Sequence, residues 1–299
     1  MDSPCPIIYE DKHLLVVNKF PGFVVQGTPG KNNLWKALKD YIKHRDQKPG
    51  EAFLAVVHRL DKLVSGALVF AKRSKAAGRL SQAIREGKFF KVYLAVTEGI
   101  PTEEGLILQK FFWDHKKKKA IVKDVSSSFE GKICITFLKI LNKKRGRAIV
   151  LLAPITGRKH QLRAVLSSLQ APVVGDKKYG SKTRLKYPAI LLHSFFVSFP
   201  HPVEKEEVSF FAPIPAYFPR LYLDKSKFWD FFYKVKKLQE AKVSEEFVTC
   251  STCAWRAVCT KRFQFDNTKP IKCPDYSPDY ELLKKRKKDE EKEVDKEKD

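Results

Sequence analysis

A chain of 299 residues with 43% apolar content has the make-up of a globular protein of one large domain or two smaller ones. It holds no apolar run near the roughly 18 residues a membrane span needs, and its start, MDSPCPIIYEDKHLLVV, lacks the pattern of a secretory signal, so a cytoplasmic protein with no membrane partner is expected. The formal net charge of +24 is not a tail effect, because residues 284–299 carry eight Lys/Arg against seven Asp/Glu; a body this positive is expected to bind a polyanion, RNA or DNA.

Residues 7–9 and 14–19 read as short strands, and Pro21-Gly22 as a turn. Residues 33–44 have helical spacing, with Leu34, Leu38, Tyr41 and Ile42 on one face. Residues 53–57 lead into His58-Arg59-Leu60-Asp61, and 65–72 form the next strand. A helix is expected over 74–86, stopped at Gly87, and a strand over 89–97. Residues 105–153 read as an antiparallel meander with strands at 106–109, 120–125, 132–141 and 147–153. Its connections at 115–119 and 143–147 are strongly basic and are expected to meet phosphate. A helix is expected over 156–169, with Leu162, Val165, Leu166 and Leu169 at helical spacing.

The Pro-rich stretch 200–219 reads as the end of a compact domain. The expected division is a catalytic domain at 1–224, a helical and cysteine-rich segment at 225–282, and a disordered charged tail at 283–299. Cys250, Cys253, Cys259 and Cys273 are spaced C-x2-C-x5-C-x13-C. In a cytosolic chain such clustering favours a structural zinc or iron–sulfur site over disulfides, with free thiols as the alternative.

Three ionisable residues, His58, Arg59 and Asp61, lie between two apolar runs. A carboxylate near a core needs a cation and hydrogen bonds. Arg163, in the donor-rich stretch Pro154-Ile155-Thr156-Gly157-Arg158-Lys159-His160-Gln161-Leu162-Arg163, is a candidate. Residue type alone leaves a structural ion pair and a functional one equally open. Tyr93, in an expected strand, has a ring able to stack on a base and a hydroxyl able to move a proton.

Taken in order, HRLDKLVSG, KVYLAV, TGRKHQLR, GDKKYG, LLHS and FPHP resemble the ordered motifs of the RluA-type pseudouridine synthases, over residues 7–219. The resemblance implies an α+β pseudouridine synthase fold: a mixed, largely antiparallel sheet with flanking helices and a central RNA-binding cleft. It implies isomerisation of uridine to pseudouridine in ribosomal or transfer RNA, without a cofactor for catalysis; a monomer is expected. Asp61 would be the catalytic carboxylate, Arg163 its partner, and Tyr93 a stacking surface and candidate for proton removal from C5. Leu162 would pack on the base, and His58, Arg59, Arg158 and Lys159 would contact the RNA. The chain departs from the pattern at Val64, where Thr is usual, and at Ala164-Val165, where Val-His is common; the catalytic pattern begins near Ile7, so no S4 domain is expected ahead of it. The competing expectation is a non-catalytic RNA-binding protein that keeps the fold.

Overall fold

The computed structural model describes residues 2–27, 33–47, 49–128, 130–220 and 223–243. Among them eleven strands join in one sheet. They are β1 (Ile7–Glu10), β2 (Leu14–Lys19), β3 (Ala55–Val56), β4 (Ser65–Ala71), β5 (Phe90–Glu98) and β6 (Gly105–Asp114), then β7 (Lys119–Asp124), β8 (Lys132–Lys144), β9 (Arg147–Pro154), β10 (Leu192–Pro200) and β11 (Glu207–Phe211). The helices are α1 (Leu34–Arg45), α2 (Ser74–Arg85), α3 (Gln161–Ser168) and α4 (Lys225–Val243). The spatial order is β1-β2-β4-β10-β5-β9-β8-β6-β7, with β3 on β4 and β11 on β10. The β4–β10 pair is parallel and the other strand pairs are antiparallel, so the sheet is mixed and largely antiparallel.

Because successive side chains of a strand face opposite sides and both sides are covered here, residues 14–17 of β2 and 67–71 of β4 are apolar without a break. Leu15, Val17, Leu68 and Phe70 face one side, where Leu34, Leu38 and Ile42 of α1 join them. Leu14, Val16, Ala67, Val69 and Ala71 face the other, under Ala76 and Leu80 of α2. The parallel contact of β4 with β10 depends on Gly66, whose φ is +117°. A Cβ there would lie 2.3 Å from the Ser194 carbonyl oxygen.

Two expectations are corrected. The helix expected from residue 156 begins only at Gln161, because side chains claim the preceding backbone. Thr156 Oγ1 accepts from the Ile135 amide, and Gln161 Oε1 accepts from the Arg158 amide. Gln161 Nε2 donates to the Ile135 carbonyl, so residues 156–160 form a turn tied to β8. The domain end expected at residue 224 also moves. The Pro-rich stretch contains β11, and Phe228, Phe231, Phe232 and Val235 of α4 are buried in the main core. The compact body runs to Lys236.

Candidate active site

Asp61 lies in the loop between β3 and β4, and that loop is shaped by a buried cation. Lys19, at the end of β2, is fully buried. Its Nζ donates to the carbonyls of Val64 at 2.7 Å, Phe20 at 3.1 Å, Asp61 at 3.2 Å and Lys62 at 3.3 Å. An ammonium has three protons and no acceptor, so it suits the converging carbonyls of a tight turn. Burial pushes its pKa down to about 8, against an opposing pull from the Asp61 charge. The Val64 amide closes the turn on the Asp61 carbonyl at 3.1 Å. Sequence reading gave Lys19 no role, because its partners are all backbone carbonyls, which leave no mark in residue identities.

Arg163 comes from the first turn of α3 and reaches Asp61, as expected: Nη1 donates to Oδ2 at 3.0 Å. Its stronger attachment is to a second carboxylate. Nε and Nη2 bind Oδ2 and Oδ1 of Asp176 at 2.6 and 2.8 Å, a bidentate pair. Asp176 is 1% exposed and Arg163 4%. Burial works against the arginine's charge, but the hydrogen bonds and charge of Asp176, then those of Asp61, outweigh it and raise the pKa. The guanidinium also lies over the Tyr179 ring, 4.8 Å from its centroid. Asp176 and Tyr179 both belong to the Gly-Asp-Lys-Lys-Tyr-Gly stretch, which carried signal only as part of the ordered motif set. Asp176 was not assigned to Arg163 from the sequence, because only folding brings the two segments together.

Asp61 keeps 26% side-chain exposure, so its carboxylate opens to solvent. Oδ2 is held by Arg163, whereas Oδ1 has no hydrogen-bond partner among the described residues. One oxygen is anchored and the other is available for chemistry. His160, at the start of α3, directs Nε2 at the same Oδ2 from 3.7 Å, and its Nδ1 is 3.0 Å from the Tyr179 hydroxyl. Tyr93 on β5 is 8% exposed, and the Asp61 charge acts on it. Burial first, and then that charge, raise the phenol pKa above its ordinary value. The hydroxyl therefore stays protonated at neutral pH.

The expected RNA contacts are sorted by exposure. Arg59 and Lys159 are exposed, and Arg158 is half-buried with Nε donating to the Ile133 carbonyl at 3.3 Å. Leu162 is 6% exposed. His58 departs from expectation and is buried inside the fold. Its Nε2 accepts the Val69 amide at 2.9 Å, and its ring packs on Phe89. Burial, then the Lys91 charge, push its pKa down to about 3. A neutral ring buried against Phe89 does not present a charge to phosphate. The four cysteines Cys250, Cys253, Cys259 and Cys273 lie outside the described residues. Among the described residues there is no group of three or more His, Cys, Asp or Glu placed to hold a metal, and Cys5 and Cys134 are buried free thiols.

The site is a carboxylate with one oxygen pinned by a doubly paired arginine, in a loop between two strands of a mixed sheet in a basic body. Residues 13–168 match the RNA pseudouridylate synthase family. The chain is 33% identical over 220 residues to the ribosomal large subunit pseudouridine synthase C of Buchnera aphidicola subsp. Schizaphis graminum, covering 71% of this chain and 68% of the relative. It is 32% identical over 228 residues to the ribosomal large subunit pseudouridine synthase D of Vibrio cholerae serotype O1, covering 72% and 68%. The solved structure of human RNA pseudouridylate synthase domain containing 1 superimposes with a TM-score of 0.61 at 25% identity, over 78% of this chain and 95% of that one. The chain belongs to the RNA pseudouridylate synthase family, and it is an enzyme that isomerises uridine in RNA to pseudouridine. The expectation of a non-catalytic RNA-binding protein is set aside. No described helix is long and apolar enough to cross a membrane.

Proposed function

We propose that the chain modifies uridines of ribosomal RNA, with Asp61 as the catalytic carboxylate. The observation that carries the chemistry is the Asp61 carboxylate, with Oδ2 on Arg163 and Oδ1 without a partner among the described residues. The substrate class rests on the similarity to ribosomal large subunit pseudouridine synthases and on the net charge of +24. A target uridine inside a helix is flipped out to reach the site. Oδ1 attacks C1′ of the ribose, or stabilises the oxocarbenium character that develops there, as the N1–C1′ bond breaks. The freed uracil turns, C5 bonds to C1′ and displaces Oδ1 where that oxygen had bonded, and the proton lost from C5 is balanced by one gained at N1. The product is an isomer, so no oxidant, reductant or energy source enters the balance.

In this reading Arg163 keeps Asp61 ionised and oriented, Tyr93 stacks on the uracil, and Leu162 packs on it. Arg59, Arg158 and Lys159 meet the RNA backbone. The exposed hairpin tips at 115–118 and 143–147 extend the cationic surface, and their loss is expected to reduce the salt dependence of RNA affinity. Cys250, Cys253, Cys259 and Cys273 are proposed as a zinc or iron–sulfur ligand set on spacing alone, and the metal content of the purified full-length chain tests it. The function is tested by mapping pseudouridines in ribosomal and transfer RNA from cells with and without the gene. Unchanged maps in both RNA classes would refute the proposed role.

A further inference from the structure

We infer that His160 is a positioning residue for Asp61, locked by Tyr179 as the neutral tautomer whose Nε2–H is presented to the anchored oxygen of that carboxylate. The inference rests on the proposed role of Asp61. It begins from hydrogen-bond accounting at a buried phenol. Tyr179 is 2% exposed, and its oxygen accepts the Ala120 amide at 2.8 Å. The phenol proton needs an acceptor, because buried hydroxyls rarely go unpaired. Among the described residues the remaining hydrogen-bonding neighbour of that oxygen is His160 Nδ1, at 3.0 Å. Nδ1 is therefore the acceptor. In a neutral imidazole one nitrogen carries the proton, which then lies on Nε2.

Nε2 faces Asp61 Oδ2 at 3.7 Å, the oxygen that Arg163 binds at 3.0 Å. At 3.7 Å the N–H is a dipole aimed at a charge and not yet a hydrogen bond. Such contacts often tighten when substrate closes the site. The ring is fixed from both sides. It meets Trp113 edge-on at 5.2 Å and Tyr179 edge-on at 5.8 Å. Lys159 Nζ covers the Trp113 ring at 4.1 Å. The backbone of His160 is left-handed, with φ +57° and ψ +18°. That conformation is uncommon for a residue with a Cβ, and here it lies at the entry to α3 beside the site.

Charge explains why a neutral donor suits this place. The ionisable groups around the ring are Asp61, Arg163, Lys159, Lys178 and Tyr179. Burial pushes the His160 pKa down to about 4; Asp61 raises it, while Arg163, Lys178 and Lys159 lower it further. The ring is thus uncharged at neutral pH. Together with Arg163 it fixes Oδ2 from two directions and limits rotation of the carboxylate, so Oδ1 stays turned to the substrate. A second full cation there would instead quench the charge that Oδ1 needs.

The test uses the full chain with 15N-labelled histidine and long-range 15N–1H correlation at pH 7. His160→Asn identifies the His160 signals among the seven histidines. Asn tolerates a left-handed backbone, so the fold is expected to survive. The wild type is expected to show the neutral Nε2–H pattern, and Tyr179→Phe to lose it in favour of a tautomer mixture. An Nδ1–H tautomer or an imidazolium at pH 7 in the wild type overturns the proposal. In single-turnover assays His160→Asn is expected to lower the rate about tenfold, a modest loss for a group acting through another. KM for RNA should hold, and the acid limb of the pH–rate profile should move to higher pH. Tyr179→Phe should act in the same direction, and the double variant should be no slower than His160→Asn. An unchanged rate and acid limb in His160→Asn overturns the positioning role. If Asp61→Asn stays fully active, the catalytic assignment fails, whereas the tautomer measurement still stands or falls by itself.

Discussion

Removing Asp176 is expected to damage the fold more than removing Asp61. Asp176→Ala leaves Arg163, 4% exposed, without its bidentate partner. Breaking a buried pair from one side costs about 3–5 kcal/mol, because an uncompensated charge stays behind. In a body of this size each kcal/mol corresponds to roughly 2–4 °C in Tm, so a fall on the order of 10 °C is expected. Asp61→Ala removes a carboxylate that is 26% exposed and spans a single hydrogen bond to Arg163, and it should cost about 1 kcal/mol or less. The double variant Arg163→Met/Asp176→Leu removes both buried charges and should recover much of the loss seen in either single variant, because buried pairs exchange for apolar side chains at little cost. Urea denaturation followed by circular dichroism measures these three and the matching single variants Arg163→Met and Asp176→Leu. The reasoning is refuted if Asp176→Ala and Asp61→Ala are equally mild, or if the two single losses simply add in the double variant.

Asp61→Asn should abolish pseudouridine formation in a tritium-release assay while RNA affinity stays within about tenfold, since the amide keeps shape and loses charge; normal turnover would sink the assignment. Tyr93→Phe should retain most activity and Tyr93→Ala should lose it, because stacking by the ring is its proposed role; the reverse order would support the proton-removal role. A chain ended after residue 224 should unfold readily, while one ended after residue 243 should hold, because the former loses Phe228, Phe231, Phe232 and Val235, each worth roughly 1.5–3 kcal/mol when buried. Acid should destabilise the protein between about pH 6.5 and pH 3. Burial depresses the pKa of His58 to about 3 and of His193 to about 4, so the unfolded chain binds protons that the native state refuses. That stability is complete above the unfolded value near 6.5 and drains as pH falls; His58→Phe should flatten the acid limb of a Tm-versus-pH curve, and an unaltered curve would contradict the assignment.

Periodicity marked β4, α1 and the meander from β6 to β9 because apolar alternation and helical spacing are local properties that a chain carries before it folds. Asp61, Tyr93 and Arg163 were legible as an ordered set, and the charge requirement of a carboxylate near apolar strands pointed from Asp61 to Arg163, 102 positions away. Other features depended on long-range packing. Whether α4 belongs to the body depended on aromatic faces meeting across the sheet, and its helical spacing reads the same packed or free. His58 and Arg59 are adjacent in sequence, yet one is buried against Phe89 and the other exposed, since a single residue step in an extended loop reverses the side chain. The roles of Lys19 and Asp176 appeared only in three dimensions. A buried charge is defined by the carbonyls and counter-ions that surround it, and those come from segments that the chain brings together only on folding.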